Sequence, residues 1–584
     1  MQRRPFVFTS ALLPLVACTS VPRAAIDFDG WSETFAQQWL RLSPPFATSL
    51  QYLPEDEQAQ LDGLLTLDGD AERAKRLALA RQGLAQLDDL APGGLTPAQS
   101  TSAATLRWAL TRVLDAAADV EHSFVFNQNA GLHLQQVTLL SQTQPLRRAR
   151  DVPAYLGRLA LMPAQLDDGI ARARRAAQRG LLPPRFIAER ARGQVASLLA
   201  ASADSSPLVT SLARRSEAVE DLSPESRRAA LLRATALVQD GMRPAWQRVL
   251  TLIAELLPRT SDDAGLWRLP GGDAVYARAL VANTTTRLTA AQIHATGLAE
   301  VTRIEAQIDA VLRRLGRHEG TVRERVDALR LALQPAVEPD PRPALLERYA
   351  VAVRDNQKRS AALFPRQPAA PVEVRRVPAL TERTASAYYT SPALDGSRPG
   401  VFWVPLPGPA FDTLRLRTLA VHEAVPGHHF QIALQQEASE LPRWRRARLF
   451  GGGSAHSEGW ALYAERLAIE QGWYDDDPTG LIGALDGQLF RARRLVVDTG
   501  MHAMRWTRQQ AIDYGIPAQE VERYVANPGQ ACAYMIGMLR MLSLRQEAQQ
   551  RLGARFSLPA FHDLVLSTGS VPLDVLGEVV ARWV

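Results

Sequence analysis

The stretch TAAQIHATGLAEVTRIEAQIDAVLRRLG, Thr289–Gly316, carries a complete helix within itself. Thr289 followed three residues later by Gln292 forms a capping box, which supplies partners for backbone N–H groups left open at a helix start. Ile293, Val301, Ile304, Ile308 and Val311 then keep the helical period, and Gly316 offers a C-terminal stop. His294, in the first turn, reads as a surface residue. The same texture runs from Ala24 to about Val353, where Trp31, Phe35 and Trp39 recur at i, i+4 and i+8 as one buried stripe. Loops rich in Pro, Gly and Asp, such as residues 258–272, separate the helices.

The texture changes near Pro365. The segment FPRQPAAPVEVRRVP is punctuated by proline, and Val372, Val374 and Val377 suggest a short strand. A turn at Asp395-Gly396 and a β-rich run at Val401–Val404 follow, and helices resume from Leu414. The expected fold is therefore mainly α, with a small β element. Three parts are expected: residues 1–17 as a signal peptide, 18–364 as an N-terminal helical region, and 365–584 as the catalytic region with the β element.

At 584 residues the chain exceeds what one compact core holds, so more than one lobe is expected. Apolar residues make up 46% and charged residues 22%, ordinary for a water-exposed globular chain, and no internal run of about 20 apolar residues suggests a spanning helix. The formal charge of +6 does not indicate nucleic acid. The arginines are scattered among acids, and no basic block is interleaved with aromatics. Arg3 and Arg4 precede an apolar stretch from Pro5 to Ala17 that ends in LVAC, Leu15–Cys18. That end resembles a bacterial lipobox, with Cys18 as the lipidated residue. Thr19 after it is similar to signals sorted to the outer membrane, so an anchor facing the periplasm is expected. The one other cysteine, Cys532, lies in the apolar run ACAYMIGML and reads as a small core residue.

Five of the ten histidines fall within residues 422–502. The segment VHEAVPGHHFQ, Val421–Gln431, begins the His-Glu-x-x-His pattern of zinc proteases, but position i+4 is Pro426. His428 and His429 stand at i+6 and i+7. On a regular helix neither shares an ion with His422, because i+6 is rotated by about 120° and i+7 lies roughly 10 Å along the axis. Pro426, however, cannot donate to the His422 carbonyl and its ring clashes with that carbonyl. Gly427 permits the backbone angles needed to leave and re-enter a helix. Two residues looped out as a bulge bring His428 to the place of i+4.

A catalytic zinc takes three protein ligands and leaves one position open. The third is sought in GGGSAHSEGWALYAERLA, where Glu458 is preferred and His456 and Glu465 are rivals. His422, His428 and Glu458 would then hold the zinc, and Glu423 would be the general base that takes a proton from the attacking water.

The motifs HEAVPGHHFQ, SEGWALYAE, VVDTGMHAMRWT and NPGQACAYMIG resemble the bacterial domain-of-unknown-function family eight-eight-five. SAYYTSPALDGSRPGVFWV and TRLTAAQIHATGLAEV extend the resemblance over most of the chain. It implies a zinc metallopeptidase related to carboxypeptidase Taq and thimet oligopeptidase, a multi-helical clamshell with a deep cleft and the metal at its floor. Carried over, His422, His428 and Glu458 are the ligands and Glu423 the base. Tyr534 and His502 are candidates for stabilising an oxyanion, with a buried structural role as the alternative for each. His429, Tyr388 and Tyr389 are candidates for facing the peptide substrate, and Arg494 and Arg540 for meeting its carboxylate. A zinc hydrolase of another amide or ester, and an inactive helical binding lipoprotein, are the rival functions. The oligomeric state is not legible.

Overall fold

The computed structural model describes residues 27–66, 69–90, 94–378, 382, 385–393, 396, 398–451 and 453–584. The expected signal peptide, Cys18 and Asp395 of the expected turn lie outside the described residues. The chain is mainly α, and one three-stranded sheet is the only sheet among the described residues.

The helix Ala290–Arg314 forms as its ends dictate. Thr289 Oγ1 accepts from the Gln292 N–H, and Gln292 Oε1 accepts from the Thr289 N–H at 2.9 Å. At the far end Gly316 adopts φ +74°, while the N–H groups of Gly316 and Arg317 close on the carbonyls of Arg313 and Leu312. That is a Schellman stop, in which left-handed backbone favours glycine. The apolar stripe is buried against the long helix Pro478–Ala503. Gly297 lets the two helices approach, since a Cβ there would lie 2.8 Å from Leu495 Cβ. His294 is not the surface residue expected. It is half-buried on this seam, with Nδ1 2.8 Å from Thr499 Oγ1.

Phe35 of the N-terminal stripe is buried, with Trp31 and Trp39 partly so, and the stripe packs on Phe450 from the far end of the sequence. The largest hydrophobic core draws residues from Ala176 to Val580. Phe364 sits inside it, 4.9 Å from the Phe430 ring and 4.7 Å from His562. The change of texture near Pro365 is thus a change of secondary structure and not a gap in packing.

The sheet has β1 (Val372–Arg376), β2 (Tyr388–Thr390) and β3 (Gly400–Val404) in the order β1-β3-β2. β1 runs parallel to β3, and β2 runs antiparallel to it with Tyr388 opposite Trp403 and Tyr389 opposite Phe402. Apolar β3 takes the central, buried place. β2, which the sequence did not announce, is an edge strand whose other side has no strand partner among the described residues.

Candidate metal centre

The helix Leu416–Glu423 carries His422 and Glu423 on its last turn and stops there. A second helix, His428–Glu437, starts with His428. The expected bulge within one helix is therefore a break between two, spanning Ala424–Gly427. Gly427 stands at this break, as expected, with φ −78° and ψ −128°. A Cβ at this position would lie 1.9 Å from the His422 carbonyl oxygen and 2.3 Å from that of Val421. Only a residue without a side chain lets the chain fold back over the end of its own helix. The indole N–H of Trp460 donates to the Pro426 carbonyl at 2.8 Å and fixes the turn.

The fold brings His422, His428 and Glu458 together. Glu458 Oε2 lies 3.6 Å from His422 Nε2 and 3.4 Å from His428 Nε2, and the three donor atoms are all within 4.8 Å of one another. Two donors each about 2.0–2.1 Å from a tetrahedral zinc stand roughly 3.3–3.4 Å apart, so the spacing suits such an ion. The imidazole rings meet edge to face, 4.8 Å between centroids. Glu458 sits in the helix Gly453–Glu470.

Glu465, seven residues on, is not part of this trio. Its Oε1 is 2.7 Å from His422 Nδ1, and its other oxygen accepts from the Thr418 hydroxyl at 3.0 Å. A carboxylate on the outer nitrogen fixes the ring and presents Nε2 inward, the support that metal-bound histidines ordinarily receive. Burial opposes a charged His422, but hydrogen bonds with Glu458 and Glu465 outweigh it and raise the imidazole to about 9. Burial likewise works against the Glu458 anion, and the His428 and His422 charges win, holding the carboxyl well below its ordinary value. Two carboxylates around these rings thus favour positive charge, as a cation site requires.

These groups open on a cavity of about 550 Å³ that Glu423, Tyr388, Tyr389 and Tyr534 also line. Tyr534 enters from the helix Ala533–Leu552, and burial raises its phenol above the ordinary range, with the Glu458 charge adding to the effect. The Arg494 guanidinium lies 4.5 Å from the Tyr534 ring centroid and bonds Glu520 at 2.9 Å. His429 points away from the trio, its Nδ1 2.9 Å from the Tyr389 hydroxyl, and burial lowers it to about 4. Tyr388 stacks on Trp403 and is 41% exposed, the freest ring at the cavity wall.

The structure does not bring His502 to the cavity. It is fully buried, with Nδ1 accepting from the Leu266 N–H at 3.1 Å and Nε2 3.2 Å from the Tyr524 carbonyl. Both nitrogens are thereby used by backbone, and the Tyr276 ring covers one face at 4.9 Å. His456 is also fully buried, with Nδ1 facing the Val571 N–H. Arg540 bonds Glu547 instead of lining the cavity. Asp498, which sequence reasoning passed over, accepts from the Tyr276 hydroxyl at 2.6 Å and from the Gly529 N–H at 3.0 Å. It ties the turn before Tyr534 to the long helix Pro478–Ala503. Cys532 is buried in the core beside it, its thiol pushed well up by burial and by the Asp498 charge.

The crystal structure of a candidate lipoprotein from Colwellia psychrerythraea is similar over 94% of this chain and 99% of that one, with 31% identity and a TM-score of 0.86. A candidate lipoprotein of unknown function from Shewanella oneidensis shares the fold, with a TM-score of 0.72 at 20% identity over 95% of this chain and 99% of that one. No curated protein matches the sequence. The profile of the bacterial proteins of unknown function DUF885 matches residues 44–580, and the chain belongs to that family.

Proposed function

We propose that this chain is a zinc-dependent peptidase that hydrolyses short peptides at the cell envelope. The observation that carries the reading is the meeting of His422, His428 and Glu458 on a cavity that also holds Glu423 and Tyr534. Two imidazoles and one carboxylate are the donor set of a catalytic zinc, and it leaves a coordination position open. When bound, the ion supplies Lewis acidity toward a carbonyl oxygen and toward water. Glu423, adjacent to His422, removes the proton of the attacking water and returns it to the leaving amine. Tyr534 remains protonated and donates to the oxygen on which negative charge develops. Glu465 keeps the His422 ring from turning.

The outer edge of β2, which has no strand partner among the described residues, favours peptides over other amides or esters. Tyr388 and Tyr389 of that strand line the same cavity as the histidines, so an extended chain can add to the strand by main-chain hydrogen bonds beside the metal. The helical regions on either side then act as the halves of a clamshell around the cleft. Against an inactive binding protein, the candidate base and oxyanion donor both face the cavity. Attachment through lipid on Cys18 rests on the LVAC segment, and placement at the outer membrane on Thr19; the lipid part agrees with the lipoprotein description of the Colwellia psychrerythraea structure.

Glu423→Gln tests the reading. The amide keeps the shape of the side chain but cannot take a proton at neutral pH. The variant is expected to hold zinc at the wild-type ratio and to lose about 10²–10⁴ in kcat on a peptide library. Near-wild-type turnover at equal metal content would remove Glu423 as the base.

A further inference from the structure

A second, larger cavity of about 890 Å³ adjoins the metal cavity. Ile432 lines both. So does the run of chain through β2: Tyr388 and Tyr389 face the metal cavity, while Ser391, Pro392 and Ala393, directly after the strand, face the second one. Five arginines line this second space, Arg147, Arg398, Arg443, Arg446 and Arg448, and among its described lining residues there is no aspartate or glutamate.

That composition sets it apart from the metal cavity, where arginines are matched by acids. In the metal cavity itself Arg415 bonds Asp486, and Arg494 and Arg523 both bond Glu520. In the second cavity Arg446 spends its Nε on the Gln436 carbonyl, and Arg443 lies over the Tyr52 ring with Glu33 at 3.9 Å. The guanidinium groups of Arg147, Arg398 and Arg448 have no hydrogen bond or ion pair among the described residues. Three guanidinium groups without a bonded acid, beside two more around one cavity, repel one another, and an anion entering that space relieves the repulsion.

Arg448 adds a backbone observation. It occupies the left-handed position after the short helix Arg443–Arg446, at φ +58°, where the N–H groups of Arg448 and Leu449 close on the carbonyls of Arg445 and Trp444. Glycine is the usual occupant of this position, and a long side chain there is held at a cost. The guanidinium also stands between the two cavities electrostatically: burial lowers it, and the Glu458 charge opposes that effect.

We infer that the arginine cavity is an anion subsite of the same peptidase, selecting peptides that carry an aspartate or glutamate a few residues from the bond that is cut. The inference rests on the peptidase reading and names its substrate class. The distance follows from strand geometry. A peptide paired with β2 advances at about 3.3 Å per residue in step with the strand, so residues opposite Ser391–Ala393 lie two to four positions from those opposite Tyr389. The acidic side chain lies on one side of the cut only, because the arginines line only the cavity that follows β2.

The test uses one neutral peptide that the enzyme cleaves and a set in which glutamate replaces each position within four residues on either side of the cut. Glutamate at two to four positions on one side should raise kcat/KM about tenfold, from two or three guanidinium contacts worth roughly two- to fivefold each. The gain should shrink at high ionic strength, because these contacts are open to solvent. In Arg448→Gln, and separately in Arg398→Gln, the ratio of acidic to neutral kcat/KM should fall toward one. The exposed Arg398 keeps the test valid if the Arg448 variant folds poorly. Equilibrium binding of the same peptides to Glu423→Gln, by fluorescence anisotropy, separates this inference from the one beneath it. Acidic peptides bound more tightly than neutral ones, with no peptide cleaved by the wild type, would reject the peptidase and keep the anion site. Cleavage of the neutral peptide with no gain from glutamate at any position, or equal binding of acidic and neutral peptides, would overturn the anion site.

Discussion

His422 and His502 are both buried histidines, and both rings have contacts on each nitrogen. Their partners differ. His422 meets Glu465 on one nitrogen and faces Glu458 at 3.6 Å on the other, beside His428. His502 meets a backbone N–H and a backbone carbonyl. Carboxylates raise His422 to about 9, whereas burial, with only the Tyr524 carbonyl opposing it, lowers His502 to about 4. A histidine whose nitrogens close backbone bonds has nothing left for an ion. A cation site forms where donor atoms stop short of pairing and converge on one point.

The sharpest way to break this contrast is at the cavity. If Tyr534 donates to the developing oxyanion, Tyr534→Phe should lower kcat by about 10²–10³ while KM changes little, because the bond matters in the transition state. An unchanged kcat would move Tyr534 into the class of His502, a polar side chain that serves packing. Next in size is Glu465→Gln. An amide oxygen can still accept from His422 Nδ1, but the negative charge is gone, so metal affinity should drop about 10- to 100-fold with the helices intact. Affinity measured by chelator competition at the wild-type level would mean that Glu465 only fills space.

The smallest effect belongs to the buried cluster and reads out as stability. Burial raises the Asp498 carboxyl from its ordinary 3.8 to about 7, against hydrogen bonds from Tyr276, Gly529 and Cys532 and the Arg523 charge. Its folded value is above its unfolded one, so its contribution is fully present below about pH 4 and is lost as the pH rises through 7. Denaturant titrations at pH 5 and pH 7.5 should show a wild-type decline that Asp498→Asn makes shallower. Equal declines in both proteins would place the titrating group elsewhere.

How much of this can be read from sequence varies with the reach of each interaction. The helix after Thr289 is legible because its cap, stripe and stop lie within 28 consecutive residues. The approach of His428 to His422 is legible because Pro426 has no N–H and forbids a continuous helix. Sequence marks Gly427 as a permissive residue but does not show the carbonyls above it that exclude a side chain. β2 spans three residues, too few to display an alternating pattern. The role of Glu465 depends on which of two acids on one helix face meets the outer nitrogen of His422. Asp498 and Gly529 are 31 residues apart and meet only through the packing of separate helices. The arginine cavity collects side chains from Arg147 to Arg448, and no local pattern marks it.

The break at Ala424–Gly427 has a mechanical consequence. Along a continuous helix, two ligand positions are set by pitch alone. Here that gauge is interrupted, and another element has to supply it. The helix Gly453–Glu470 does so: Glu458 approaches both imidazoles, Glu465 takes the outer nitrogen of His422, and Trp460 grips the carbonyl inside the break. This helix is the template against which the two histidines are aligned.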